Sequence, residues 1–207
     1  VWTKTYGGVN PERGNDFIVT RDGGFVIAGL IYVNVPGLPD MYMLRADSAG
    51  NFLWSRAIGG TYYDEAYRLQ DTPDSGFVVV GRTGSFPPND PNILLIKTDA
   101  NGNLLDQKLL SLGTGFNAID LIATGSSGIL ISGYADNGNS IETIGMVRLD
   151  ASLNIVSTKW FSDPSTDYFV YDLKEKPNGN IVFCGRYSDG VNPYAALVAE
   201  MDATGSI

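Results

Sequence analysis

The chain has 207 residues, 43% hydrophobic and 18% charged, enough apolar material for a substantial core. Its 14 basic residues against 23 acidic ones leave a net charge of −9, which speaks against nucleic acid and anionic membrane as partners, because phosphate affinity needs concentrated Lys and Arg. No histidine and one cysteine exclude Ser-His-Asp and Cys-His catalysis, most zinc or copper sites, and any internal disulfide.

In chain order, Val1 to Tyr6 reads as an outer strand, in register with Leu53 to Ile58. An inner strand follows around Phe17, matched by Leu69, Leu121 and Leu173. Tight turns come next, Asp22-Gly23-Gly24, Asp74-Ser75-Gly76, Ser126-Ser127-Gly128 and Asn178-Gly179-Asn180, built from residues that tolerate positive φ. Each turn leads into a short apolar run closing on Gly29, Gly81, Gly133 or Gly185, glycines spaced by 52 residues. A third strand (Met41 to Ala46, Ile93 to Thr98, Ile144 to Leu149, Ala195 to Met201) ends at Asp47, Asp99, Asp150 or Asp202 in a second turn, and the outer strand follows.

Four-stranded antiparallel sheets at a period near 50 residues, with no helix-period segment between them, are the sequence mark of β-propeller blades. The expected fold is all-β, one β-propeller domain over residues 1–207. Its four blades fall at about residues 1–52, 53–104, 105–155 and 156–207, and the N-terminal strand 1–6 closes the ring by pairing into the last blade. The alternative is four blades of a larger propeller, or half of an eight-bladed ring made by two chains.

Trp2-Thr3-Lys4-Thr5-Tyr6-Gly7-Gly8 and Trp54-Ser55-Arg56-Ala57-Ile58-Gly59-Gly60, with the glycine run at 22–29 and Asp99-Ala100-Asn101-Gly102-Asn103, resemble the tandem repeats of archaeal and bacterial secreted or cell-surface β-propeller proteins. The resemblance spans the chain and is weaker in the later units, where Leu112-Gly113-Thr114 and Ser162-Asp163-Pro164 replace Gly-Gly. It implies a propeller and an extracellular or cell-surface location, and it carries no catalytic motif.

Candidate residues fall into four groups. Cys184, at the place of Ala28, Val80 and Ser132, is expected to be a buried thiol. Asp99-x-Asn101-x-Asn103 begins like a calcium loop but has Leu104 and Leu110 where such a loop wants glycine and glutamate; the expectation is a turn aspartate, with no cofactor and calcium as the alternative. Asp16, Arg68, Asp120 and Asp172 occupy equivalent inner-strand places and are expected to form an axial polar cluster, a satisfied plug or an ion site. The long loops all lie at one end of the sheets and hold Tyr6, Tyr32, Tyr62, Tyr63, Phe86, Phe116, Tyr134, Tyr168, Tyr187 and Tyr194. They also hold the acids Glu12, Asp40, Asp64, Glu65, Asp90, Asp136, Glu142, Asp163, Asp167 and Asp189.

Exposed tyrosines give contact area at little entropy cost, and carboxylates accept sugar hydroxyls. The main expectation is therefore a non-catalytic module that binds protein or glycan, self-associates, or joins other domains of a longer polypeptide. A spacer in a surface array is one alternative. The other is a glycosidase or lyase using two loop carboxylates, marked by a pair about 5 to 10 Å apart near aromatics with one pKa raised.

Overall fold

The computed structural model describes residues 1–33, 37–86, 92–110, 117–124, 128–136, 142–163, 165–191, 194–202 and 206. Fifteen strands lie within them. β1 (Glu12–Val19), β2 (Phe25–Ile31), β3 (Asp40–Ala46) and β4 (Phe52–Ile58) form one antiparallel sheet. β5 (Asp64–Asp71), β6 (Phe77–Thr83), β7 (Asn92–Thr98) and β8 (Leu104–Leu110) form the second. The third is β9 (Asn117–Thr124), β10 (Gly128–Asp136), β11 (Glu142–Leu149) and β12 (Ile155–Phe161). The last is β13 (Asp167–Glu175), β14 (Ile181–Ser188) and β15 (Ala195–Met201). The chain divides into two compact units, Val1–Leu110 and Ser111–Ile207, with two sheets in each.

The repeat glycines have a cause that their sequence position does not reveal. The strands run past them, and opposite each the inner strand carries one extra residue: Asn15, Tyr67, Ile119 and Tyr171. This bulge pushes a carbonyl toward the second strand. A Cβ on Gly29, Gly81 or Gly185 would overlap the carbonyl oxygen of Arg13, Glu65 or Phe169. The 52-residue spacing is therefore a spacing of bulges, and glycine is required for close approach.

The bulge also sets the next residue. Asp16, just after it, accepts the backbone N–H of Leu69 in the neighbouring sheet at 2.9 Å, and Asp120 accepts that of Leu173 at 2.9 Å. Around these staples each unit builds its core. In the first unit Val26, Ala28, Met41 and Met43 pack on Ala66, Leu69, Phe77, Val79, Leu94 and Ile96. In the second, Ile122, Leu130, Ile144 and Met146 pack on Val170, Leu173, Ile181, Phe183 and Met201. Each large side chain buried this way contributes roughly 1.5–3 kcal/mol.

The turns follow the sequence reading. Asp47, Asp99 and Asp150 each accept the backbone N–H groups two and four residues on and the Asn side chain four residues on. Gly50 and Gly102 adopt positive φ there, and the equivalent Leu153 does so at φ 60°.

Three expectations need correction. Residues 1–8 form no strand, and the last sheet has three strands, so the expected closure by residues 1–6 is not formed. The segment instead reproduces on the first sheet the footprint that β4 leaves on the second. Trp2 meets Phe25 at 5.8 Å and borders Gly50, and Lys4 bonds Asn51; Trp54 meets Phe77 at 6.3 Å and borders Gly102, and Arg56 reaches Asn101 and Asn103. The glycine runs do not end their strands, since β2 continues to Ile31 and β14 to Ser188. Cys184 is exposed, although Ala28, Val80 and Ser132 at its equivalent places are 0% exposed, because the face of the last sheet that carries it, with Val198 beside it across the ladder, is open.

Candidate functional site

At the long-loop end of the first unit two aspartates start adjacent strands. Asp40 opens β3 and Asp64 opens β5, and the Asp64 N–H donates to the Pro39 carbonyl at 2.8 Å, which draws the strand starts together. Gly59 lies between them: a Cβ there would collide with Oδ1 of Asp40 and Oδ2 of Asp64, which puts the two carboxyls within about 5 Å of each other.

Their surroundings differ in kind. Asp64 is 0% exposed and accepts hydrogen bonds from the Thr83 hydroxyl, the Ser85 hydroxyl at 2.6 Å and the Gly60 N–H at 3.0 Å. Asp40 is half-buried, and burial, then the neighbouring Asp64 charge, push its carboxyl above the usual range. A carboxyl that holds its proton more tightly, set beside a second carboxyl, is the arrangement a general acid needs.

Glu65 follows directly and is 6% exposed. It accepts from the Arg13 guanidinium, from Asn15 Nδ2 at 2.7 Å and from the Tyr63 hydroxyl at 2.6 Å. Burial and this carboxylate push the Tyr63 phenol up to about 12, and the Arg82 guanidinium lies 5.9 Å from its ring. A cleft of about 390 Å³ opens between residues 5–8 and the first sheet, lined by Tyr6, Glu12, Tyr42, Phe52 and Ser55 among others. In it Glu12 accepts the Gly8 N–H at 3.1 Å.

The loop aromatics separate into anchors and open rings. Tyr6 donates to the Gly50 carbonyl at 2.8 Å, Phe86 packs on the first core, and Tyr63 serves Glu65. Tyr32 is half-buried and Tyr62 is 51% exposed. In the second unit Tyr168 stacks on Tyr187 at 6.5 Å, Tyr134 lies 4.6 Å from Phe169, and Tyr194 covers Arg186. Phe116 and Asp90 lie outside the described residues.

Within each unit the inner-strand residues have partners of their own, and in the second unit Asp120 and Asp172 share a side-chain hydrogen bond. Asp16 and Asp120 are the staples between sheets, Asp172 pairs with Lys174 at 3.0 Å, and Arg68 donates to the Tyr67 carbonyl at 3.0 Å. Among the described residues no group of three or more acids, cysteines or histidines is placed to hold a metal, and both carboxylate oxygens of Asp99 accept bonds from its own turn. Sequence named Asp40, Asp64 and Glu65 among ten loop acids; it did not reveal Arg13, Asn15, Thr83 or Ser85, polar residues with no motif of their own.

No protein-family model matches the chain, and no curated protein resembles it in sequence. Solved structures do. The endo-arabinase from Bacteroides thetaiotaomicron aligns over 93% of this chain and 76% of its own, with a TM-score of 0.56 at 11% identity. The fold is thus β-propeller-like. A GH43 endo-arabinanase from Bacillus licheniformis aligns over 92% of this chain and 94% of its own at 14% identity, with a TM-score of 0.35 that bears no weight for the fold. The expectation of a non-catalytic module is corrected here: the solved structure that shares this fold is named as an endo-arabinase.

Proposed function

We propose that the chain is a carbohydrate-active enzyme that cleaves glycosidic bonds, with Asp40 as general acid. The observation that carries this reading is the Asp40–Asp64 pair: two carboxyls within about 5 Å, one pushed toward its protonated form by burial and by the charge of the other. Asp40 gives its proton to the departing glycosidic oxygen. As the glycosidic C–O bond breaks, a water molecule adds to the anomeric carbon and passes its proton to the Asp40 carboxylate, which restores the acid, while Asp64 beside it stabilises the positive charge that develops on the sugar ring. The likeness in fold to an endo-arabinase supports a furanose or pyranose polysaccharide as substrate.

The test is release of reducing ends from arabinan and a panel of plant and bacterial polysaccharides. Asp40→Asn, isosteric and unable to donate its proton, is expected to lower kcat about 100- to 10,000-fold. Undiminished turnover in that variant, an unsaturated elimination product, or a wild type that cleaves no polysaccharide would each overturn the reading.

The same reading includes a closed ring of four blades at the cell surface or outside it. Its support is the 52-residue repeat carried four times along the chain and the strand-like footprint of Val1 to Tyr6 on the first sheet.

A further inference from the structure

Arg186, on β14 in the second unit, is held between two rings: its guanidinium carbon is 4.0 Å from the centroid of Phe169 and 4.7 Å from that of Tyr194. Tyr134 lies tilted against Phe169, with ring centroids 4.6 Å apart. Two rings crowd the cation, and its N–H donors are what remain to meet a partner. No hydrogen bond or ion pair joins them to any described residue, and Nε is buried without an acceptor.

Arg56 and Lys4, which also lack an ion pair, bond carbonyl or amide oxygens, whereas Arg186 has neither. The equivalent arginine in the first unit, Arg82, faces Glu65 across the ladder; Arg186 faces Phe169. The repeat has thus put a ring where the acid stood and left a planar fork of N–H donors that matches a carboxylate two bonds at a time. Beside it Tyr194 is 73% exposed and Tyr171 48% exposed, open rings of the kind on which sugars stack.

We propose that this clamp is a binding subsite for an acidic sugar: the Arg186 edge takes the carboxylate of a uronate residue while Tyr194 stacks on its ring. The site deepens the glycan-cleaving reading, on which it rests, by naming uronate-bearing polysaccharide as the ligand class.

Calorimetric titration of the full chain with trigalacturonate, its methyl ester and neutral arabinotriose tests it. The acidic trimer is expected to bind about 10-fold or more tightly than the other two. Arg186→Gln abolishes that preference, and Tyr194→Ala, at an exposed position that leaves the fold intact, weakens all three trimers together. Equal binding of the three, no binding of the acidic trimer, a preference that survives Arg186→Gln, or full displacement of the trimer by equimolar acetate would overturn the subsite. Asp40→Asn separates the two readings: it removes cleavage and keeps the uronate preference, whereas failure of the subsite alone leaves cleavage of neutral chains unchanged.

Discussion

In the first unit the long-loop end gathers acids, with Asp40, Asp64 and Glu65 set among Arg13, Asn15 and Tyr63; in the second it gathers rings, with Tyr134, Phe169 and Tyr194 set around Arg186. Beneath these unlike ends lies one joint. Both units have a bulged inner strand, a glycine beneath the bulge, an aspartate after it that takes the next sheet's N–H, and a wedge of Met, Leu, Ile and Phe between sheets. The contrast separates what the repeat must keep in order to fold from what it is free to spend on chemistry.

The joint gives the largest expected effects. Gly81→Ala and Gly185→Ala drive a Cβ into a carbonyl that the bulge cannot withdraw, and each is expected to lose about 3 kcal/mol or more in denaturant unfolding. Similar losses in both units would sharpen the comparison; a mild effect in either would break it. Asp16→Ala and Asp120→Ala strip the acceptor from Leu69 and Leu173, and each is expected to cost roughly 1–3 kcal/mol.

The acid end predicts a smaller effect of opposite sign. Asp40 binds its proton more tightly folded than unfolded, so its contribution to stability is greatest below the unfolded value of 3.8 and is lost as pH rises through the folded value. Asp40→Asn is therefore expected to raise the melting temperature at neutral pH while abolishing activity. Asp22 and Asp74 behave in reverse. Thr20 and Thr72, then the Gly24 N–H and Arg45 for the first and Lys97 for the second, hold them below 3.8, so their contribution stands above that pH and fades on acidification. Acid titration of Thr20→Val and Thr72→Val, followed by circular dichroism, is expected to show a shallower loss than wild type. The smallest change is Ser75→Gly, which relieves a φ of 65° and is expected to stabilise by a few tenths of a kcal/mol.

Much of the scaffold is legible in the sequence. The turn aspartates, the antiparallel order and the strand starts follow from local preference, and local preference is written residue by residue. The bulges are not, because an extra residue such as Asn15 or Tyr67 leaves no mark of composition; only the glycine opposite betrays it. The Asp40–Asp64 pair is hidden for a related reason, since its members sit on separate sheets and meet through a Pro39 carbonyl and a Gly59 that look like ordinary loop. Cys184 misleads because periodicity reports a place within a sheet and is silent on whether another layer lies over that sheet.

That lone sulfur has a practical use. A maleimide dye will label it while its side of the terminal sheet faces water, and will be shut out once a further blade settles there. The chain thus carries one chemical reporter, on the open face of its last sheet.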